Sequence, residues 1–334
     1  ALEAALAAAV DGSGTREMAQ AAWRQAMMAW ERVELMQVGP AGSSLDVMGG
    51  QSLRAFIYTW PTLNLCLVDQ LTVGDDYADP DALDAIAGTP RGLGAIEYLL
   101  FNESPANNCT EVNQINSEGT WNALSSEIPA RRLAYAAALA ELVGRSAQQL
   151  VASWDPAGDG FIEEFTDPGR SGAVYGSAQE GLNAMSDAMF YLDKETKDMK
   201  LAQPVGITGC DTPPCLDLLE SRWAFQTTEN IASNLTAFQS LFLGGAAGTD
   251  ALGYDDLLVE MGAPDVAADM EQAIAAAIVA TQAIPGALGD AVVDDPDAVF
   301  AAHAAVRAVT DVLKADFLSV LDLEAPARAA GDND

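Results

Sequence analysis

One stretch of the sequence, TPRGLGAIEYLLF, combines two glycines and one acid with a run of apolar residues. It reads as a buried helix that Thr89 can cap and whose first turn suits Pro90. Gly92 and Gly94 each cost roughly 1 kcal/mol relative to alanine inside a helix, so their presence calls for a reason. Glu97 follows Gly94 by three residues, a separation that places both on one helix face.

Three further carboxylates occur in apolar helical surroundings. Glu31 and Glu34 share a helical pattern with Trp23 and Trp30, and Asp69 follows the run TLNLCLV. A carboxylate inside a helical bundle is costly unless it is paired with a cation or bonded to a metal. Two interpretations are open: structural ion pairs at helix ends, or a functional cleft. The arginines that could serve as ion-pair partners are Arg54, Arg91, Arg131 and Arg132.

Counting residues excludes most catalytic constellations. The chain has one histidine, His303, whereas an HExxH zinc site needs two. His303 shares a helical pattern with Val299 and Val306, which predicts a packed or half-buried side chain. The sequence contains neither a GxGxxG nor a GxxxxGK[ST] phosphate-binding loop. Two pairs of adjacent acids point in different directions on a helix and are interpreted as solvated: Glu163 with Glu164, and Asp255 with Asp256.

The charge balance restricts the partners. The 334 residues include 16 basic and 49 acidic ones, for a formal net charge of −33. Nucleic acid is therefore not expected as a partner, because phosphate binding needs clustered lysine and arginine. The acid excess indicates either a surface suited to salt or an attraction for cations and basic partners. No apolar run is long enough to predict a membrane-spanning helix.

The four cysteines predict disulfides. Cys210 and Cys215 lie in the proline-rich loop GCDTPPCL, and Cys66 and Cys109 lie in the first half of the chain. Zinc binding by these thiolates is the alternative, but the spacing is not CxxC and no histidine lies nearby. We expect Cys210 to pair with Cys215 and Cys66 with Cys109. Such bonds indicate an oxidising compartment.

Helical periodicity dominates the chain, and strand-like alternation is almost absent. Apolar residues at helical spacing mark several long helices, and Pro61 should kink or restart one of them. The fold class is therefore predicted to be all-α, with two helical bundles side by side. A segment rich in proline, glycine and cysteine at 201–216 indicates the boundary. This divides the chain into an N-terminal bundle at 1–200 and a C-terminal bundle at 201–334.

Several segments, in this order and spacing, resemble the imelysin family. The stretch AWRQAMMAWERVELMQVGPAG is similar to its N-terminal helix, and its Glu-x-x-x-x-Gly-Pro ending falls on Glu34. The stretch FIYTWPTLNLCLVDQ resembles its Tyr-x-Trp-Pro and Val-Asp signature, which includes Trp60 and Asp69. Further similarity lies in KDMKLAQPVGI, in ESRWAFQTTENIASNLTAFQSLFLG and in the terminal GDND.

The family's named motif, Gly-x-His-x-x-Glu, falls on Gly92, Gly94 and Glu97. The glycine and the glutamate match, whereas glycine stands at the histidine position. A histidine and a glutamate three residues apart could hold a metal together. Here Glu97 alone offers a ligand atom, and it is the one metal-ligand candidate that the motif carries over.

The resemblance implies an exported bacterial protein, periplasmic or lipid-anchored by a segment before the first residue, and linked to iron acquisition. It also implies two helical bundles with a ligand cleft near their junction. Glu34, Trp60, Asp69, Gly92, Gly94 and Glu97 are the cleft candidates. We expect a non-catalytic component that binds a small ligand or an envelope protein. The resemblance fixes no cofactor, and a divalent metal or iron is the class it allows. The alternatives are a metallopeptidase and a degenerate member that serves only for docking.

Overall fold

The computed structural model describes residues 1–86, 90–249 and 251–326. Every regular element in these residues is helical. The predicted all-α class is therefore confirmed. The predicted cap at Thr89 and the GDND segment lie outside the described residues.

Twelve helices of seven or more residues are described, and we number them in chain order. They are α1 (Leu2–Asp11), α2 (Arg16–Glu31), α3 (Leu65–Gly74), α4 (Gly92–Phe101), α5 (Ile128–Trp154), α6 (Ala178–Met189), the π-helical α7 (Leu192–Ala202), α8 (Thr227–Phe242), α9 (Tyr254–Glu260), α10 (Pro264–Gln282), α11 (Leu288–Asp294) and α12 (Pro296–Val312). Shorter helical turns are Gly39–Ala41, Arg54–Ile57, Asp76–Ala78, Pro80–Asp84, Gln114–Ser117, Thr120–Ala123, Glu163–Thr166, Gln203–Val205, Leu216–Leu218, Leu313–Phe317 and Leu318–Val320.

The contacts between Cα atoms divide the chain into two compact units. The first unit consists of Ala1–Met27 and Gln51–Gly160, and the second of Met28–Gly50 together with the chain from Phe161 onward. The boundary predicted between residues 200 and 201 falls inside the second unit, within helix α7. The segment 201–216 has the composition of a linker. However, its first two residues, Leu201 and Ala202, belong to α7 and are fully buried.

The first unit is built around the 27-residue helix α5, against which α1 and α4 pack. Pro61 interrupts the helical pattern as predicted. The turn Arg54–Ile57 ends before it, and α3 begins after it, where the side chain of Asn64 caps the amide of Leu67. This restart follows from the inability of proline to continue a helical hydrogen-bond ladder.

The second unit has a continuous apolar core formed chiefly by helices α7, α8, α10 and α12. On α8, Ile231, Leu235, Phe238 and Phe242 recur at helical spacing, and all four are fully buried. This period places one stripe of the helix in the core. Across the part of the chain that the structure describes, no helix is both long and apolar enough to cross a membrane.

Both predicted disulfides are confirmed. Cys66 on α3 is bonded to Cys109 in the loop after α4, and Cys210 is bonded to Cys215. The described residues contain no free cysteine. The first bond closes a long loop and joins α3 to the segment that follows α4, whereas the second joins residues only five positions apart.

Candidate functional site

A lysine surrounded by three glutamates is buried in the second unit. The Nζ atom of Lys200 lies 2.7 Å from Oε2 of Glu31, 3.5 Å from Oε2 of Glu34 and 3.0 Å from Oε1 of Glu220. All four side chains have no solvent-exposed surface. We call these four residues the acid–lysine cluster.

Distant parts of the chain supply the cluster. Glu31 is the last residue of α2, Glu34 lies in the turn that follows, and Lys200 belongs to α7. Glu220 lies in the non-helical segment before α8. Because the four residues lie on separate elements, packing of the second unit is what assembles them.

Two polar side chains, Asn234 and Tyr191, form hydrogen bonds with members of the cluster. Asn234 on α8 donates from Nδ2 to the carbonyl and Oε2 of Glu31, at 2.9 and 2.7 Å, and its Oδ1 accepts from Lys200 at 2.9 Å. The hydroxyl of Tyr191 donates to Oε2 of Glu34 at 2.6 Å. These bonds hold Oε2 of Glu31 and Oε2 of Glu34, whereas the buried Oε1 of Glu31 accepts no hydrogen bond from the described residues.

Electrostatics set the protonation of the cluster. Burial raises the pKa of Glu31 well above its ordinary value, and the charge of Glu220 acts in the same direction, against the opposing effect of Lys200. Burial disfavours the charge on Lys200, but the neighbouring carboxylates outweigh it and raise the pKa of Lys200 above its ordinary value. Lys200 is therefore held as an ammonium ion, and Glu31 keeps a proton over a wider pH range than a free glutamic acid.

The cluster does not fit a metal ion while Lys200 is in place. In the described residues, Glu31, Glu34 and Glu220 are the one group of three acidic, histidine or cysteine side chains whose ligand atoms lie close enough together, within 4.8 Å. The ammonium of Lys200 already lies among those oxygen atoms. A divalent cation there would face a positive charge at contact distance in a buried environment. The cluster is thus a structural ion-pair network whose cation is Lys200.

Motif helix α4 lies in the first unit, and its two glycines differ. Gly92 has φ of +78°, and a Cβ atom there would lie 2.7 Å from the carbonyl oxygen of Ile57, so this position requires glycine. A Cβ on Gly94 would meet only ordinary contacts, the nearest being Cε2 of Tyr58 at 3.6 Å. Glu97 is 3% exposed. Gly94, three residues before Glu97, supplies no side-chain ligand.

Asp69 is engaged in a second buried network in the first unit. Its carboxylate accepts hydrogen bonds from the hydroxyl of Tyr98 at 2.8 Å and from the amide of Asn108 at 2.8 Å. Arg132 lies 3.8 Å away. Burial raises the pKa of Asp69 although these hydrogen bonds act in the opposite direction. The network joins α3, α4, α5 and the loop held by the Cys66–Cys109 bond.

The structure separates the predicted cleft residues into two sets. Glu34 lies in the second unit, whereas the other five candidates lie in the first: Trp60, Asp69, Gly92, Gly94 and Glu97. Of these, Asp69 is hydrogen-bonded to Tyr98, the residue after Glu97 on the motif helix. Trp60 is half-buried, and its carbonyl oxygen lies 3.5 Å from Nη2 of Arg54. The ligand cleft itself stays a prediction.

Sequence reasoning missed Lys200, Glu220 and Asn234. All three lie in the segments that carry the imelysin resemblance, but the resemblance assigned them no role. One available signal was the clustering of three of the four lysines of this acidic chain, Lys194, Lys197 and Lys200, within seven residues.

The structure thus defines an all-α protein of two compact units, one of which encloses an acid–lysine cluster. The family model described as imelysin, peptidase M75, matches residues 1–315. The chain belongs to the imelysin family, as the sequence resemblance predicted. A search of curated proteins gave no match.

Solved structures with the same fold include two bacterial proteins. One, from Parabacteroides distasonis ATCC 8503, is described as an iron-regulated protein A precursor and superposes with a TM-score of 0.69 at 17% identity, covering 96% of this chain and 86% of its own. The other, an imelysin-like protein from Psychrobacter arcticum 273-4, gives a TM-score of 0.64 at 15% identity, covering 97% and 88%. At these identities the similarity establishes the fold alone.

Proposed function

We propose that this imelysin-family chain is an exported, non-catalytic binding component of iron-related physiology in the bacterial cell envelope. Two disulfides support export to an oxidising compartment, because such bonds are rare in reducing ones. One protein of similar fold is described as an iron-regulated protein A precursor, which supports the link to iron.

The observation that carries the non-catalytic assignment is the glycine at the motif's histidine position. Activation of water for peptide hydrolysis by the metal route needs several protein ligands that hold the metal. Gly94 supplies none through its side chain, and the buried trio of glutamates is filled by Lys200. The alternative, a metallopeptidase, therefore lacks a ligand set in the described residues.

A protease assay tests this assignment. We expect casein and insulin B chain to stay intact at neutral pH, with and without added Zn²⁺, because neither buried carboxylate site offers an open metal position. The matched control is Glu97→Gln, which should behave identically. Cleavage by the unmodified protein that is lost in Glu97→Gln would establish the metallopeptidase alternative.

Metal titration tests the binding site at the motif. Calorimetry with Zn²⁺ and Fe²⁺ should show no tight binding by the unmodified protein. Gly94→His restores a His–Glu pair on one helix face and should gain measurable binding, provided that the imidazole finds room beside Tyr58. Tight binding by the unmodified protein that Glu97→Ala abolishes would contradict the reading of Gly94 as a lost ligand.

The cellular location of the protein and the dependence of its expression on iron are tested in the source organism. We expect the protein in the envelope fraction and increased transcript abundance when an iron chelator is added to the medium. A cytosolic location, or a transcript level unaffected by chelation and by iron repletion, would overturn the proposed physiological role.

A further inference from the structure

A cavity of about 430 Å³ opens within the second unit, between the segment 216–227 and helix α11. Its volume lies in the range of ligand pockets, roughly 300–1,000 Å³. Its apolar lining consists of Leu216, Leu219, Trp223, Phe225, Leu288 and Val293. The cavity is distinct from the acid–lysine cluster and from the motif helix.

Several apolar side chains of this lining are unusually exposed. Phe225 is 63% exposed, Val293 56% and Leu216 37%. Phe225 also has φ of +54°, a left-handed conformation that non-glycine residues seldom adopt. A phenyl ring that is mostly in water contributes little to folding by burial. Folding alone therefore does not account for a phenylalanine at this position.

The polar lining of the cavity is mainly acidic. Asp290 and Asp294 lie one helical turn apart on α11, and Asp217 lies on the opposite wall. Arg222 is the basic residue of the lining. Its guanidinium lies 4.2 Å from the ring centre of Trp223, and its Nη1 donates to the carbonyl of Asp217. Three carboxylates and one guanidinium give the cavity a formal charge of −2.

We propose that this cavity docks a segment of a partner protein that presents an aromatic or large aliphatic side chain next to lysine or arginine. The apolar side chain would contact Phe225 and Trp223, and the basic group would lie near Asp290 and Asp294. The charge of the cavity is complementary to such a segment. Phe225 and Val293 line the cavity and are more than half exposed, so this wall is open to solvent, which suits an extended chain better than an enclosed small molecule.

This inference does not depend on the proposed function, because it uses none of the motif residues. The probe is the peptide acetyl-Gly-Lys-Trp-Lys-Gly-amide, titrated into isotope-labelled full-length protein and followed by NMR. We expect saturable shifts confined to amides of the segments 216–227 and 288–294. Two control peptides carry glutamate for lysine or glycine for tryptophan, and both should bind more weakly.

A pair of matched double variants separates docking from general charge attraction. Asp290→Asn with Asp294→Asn removes two carboxylates of the cavity and should weaken binding roughly fivefold, since two exposed ion pairs of about 0.5 kcal/mol each add up to about 1 kcal/mol. Asp265→Asn with Asp269→Asn removes two exposed carboxylates four residues apart on α10 and should leave affinity nearly unchanged. Equal weakening in both double variants would overturn the proposal.

Phe225→Asn tests the aromatic contact without removing a folding determinant. Asparagine tolerates the left-handed conformation better than phenylalanine, so the melting temperature should be unchanged or raised while peptide binding is lost. Retained binding in Phe225→Asn would contradict the docking role. Binding of free tryptamine as tight as that of the peptide would also overturn it, because a small organic cation would then suffice.

Discussion

The Nζ atom of Lys200 lies 2.7 Å from Oε2 of Glu31, and neither side chain has solvent-exposed surface. The two residues are 169 positions apart in the chain, so their contact forms only when the last residues of α2 are brought beside Lys200 within the second unit. A buried ion pair of this kind is weak evidence for added stability, but breaking it leaves an uncompensated charge in the interior. Its removal therefore has a predictable cost.

Lys200→Met should lower the free energy of unfolding by about 3–5 kcal/mol, because the buried acidic groups of the cluster would lose their cation. Urea unfolding at neutral pH measures the change. Lys194→Met is the matched control: Lys194 is 29% exposed and lies 3.8 Å from Asp198, so its loss should cost less than about 1 kcal/mol. Equal losses of unfolding free energy in the two variants would show that the buried cluster contributes no more than an exposed ion pair.

The pH dependence of stability should report on Glu31. Its pKa is raised in the folded state, so the folded protein holds a proton that the unfolded chain releases above the ordinary value of 4.5. Stability from this group is present below that pH and is lost as the pH rises toward the folded pKa. The slope reaches at most about 1.4 kcal/mol per pH unit.

Glu31→Gln removes this titration and should make the slope above pH 4.5 less negative. Lys200 does not offset the effect, because a raised lysine pKa changes stability only at alkaline pH. Glu271→Gln, at an exposed position on α10, is the control and should leave the slope as it is. If the free energy of unfolding changes with pH in the same way for the unmodified protein and Glu31→Gln, Glu31 does not hold the proton in the folded state.

The two motif glycines should respond oppositely to alanine. Gly94→Ala should raise the free energy of unfolding by up to about 1 kcal/mol, because the new Cβ has room and glycine is the poorer helix former. Gly92→Ala should lower the free energy of unfolding by about 1–3 kcal/mol, because alanine is strained in the left-handed backbone conformation. Its Cβ would also lie too close to the carbonyl oxygen of Ile57, which adds to the loss. Chemical denaturation of both variants measures the contrast, and a loss in Gly94→Ala similar to that in Gly92→Ala would refute it.

The two disulfides should differ in their contribution to stability. Replacing Cys66 and Cys109 by alanine should cost about 4 kcal/mol, and replacing Cys210 and Cys215 about 2 kcal/mol, because the longer loop restricts the unfolded chain more. Urea unfolding under non-reducing conditions compares the variants. Thiol titration of the unreduced, denatured protein should find no free thiol. A larger loss for the short loop would contradict the chain-entropy account.

Periodicity predicted the helices of the second unit well. The stripe of Ile231, Leu235, Phe238 and Phe242 is buried as the pattern indicated. On α5 the pattern was less informative, because alanine is common on all sides. Leu133, one of the apolar residues at helical spacing on α5, is half-buried, whereas Tyr135 and Arg132 of α5 are buried. Tyr135 donates to the carbonyl of Pro90, and Arg132 donates to carbonyls of the loop after α4, so tertiary hydrogen bonds decide which face is inside.

The acid–lysine cluster could be predicted only in part. The unusual setting of Glu31 and Glu34 was visible in the sequence, and the ion-pair interpretation applies to both. The expected cations were arginines, whereas the actual one is Lys200. Asn234 hydrogen-bonds to Glu31 across 203 residues, and no local pattern specifies contacts over such a separation. The exposure of Phe225 could not be predicted from the sequence either, because it depends on a left-handed backbone conformation at this residue.

The order in which the chain visits its two units limits how the protein can be divided. The polypeptide enters the second unit for Met28–Gly50, returns to the first, and re-enters the second at Phe161. A gene fragment that starts at Phe161 would encode Lys200 and Glu220 but omit Glu31 and Glu34. Its buried ammonium would then have one acidic neighbour in place of three. The second half of this chain is thus not an exchangeable module, and fusions or chimeras need to carry Met28–Gly50 with it.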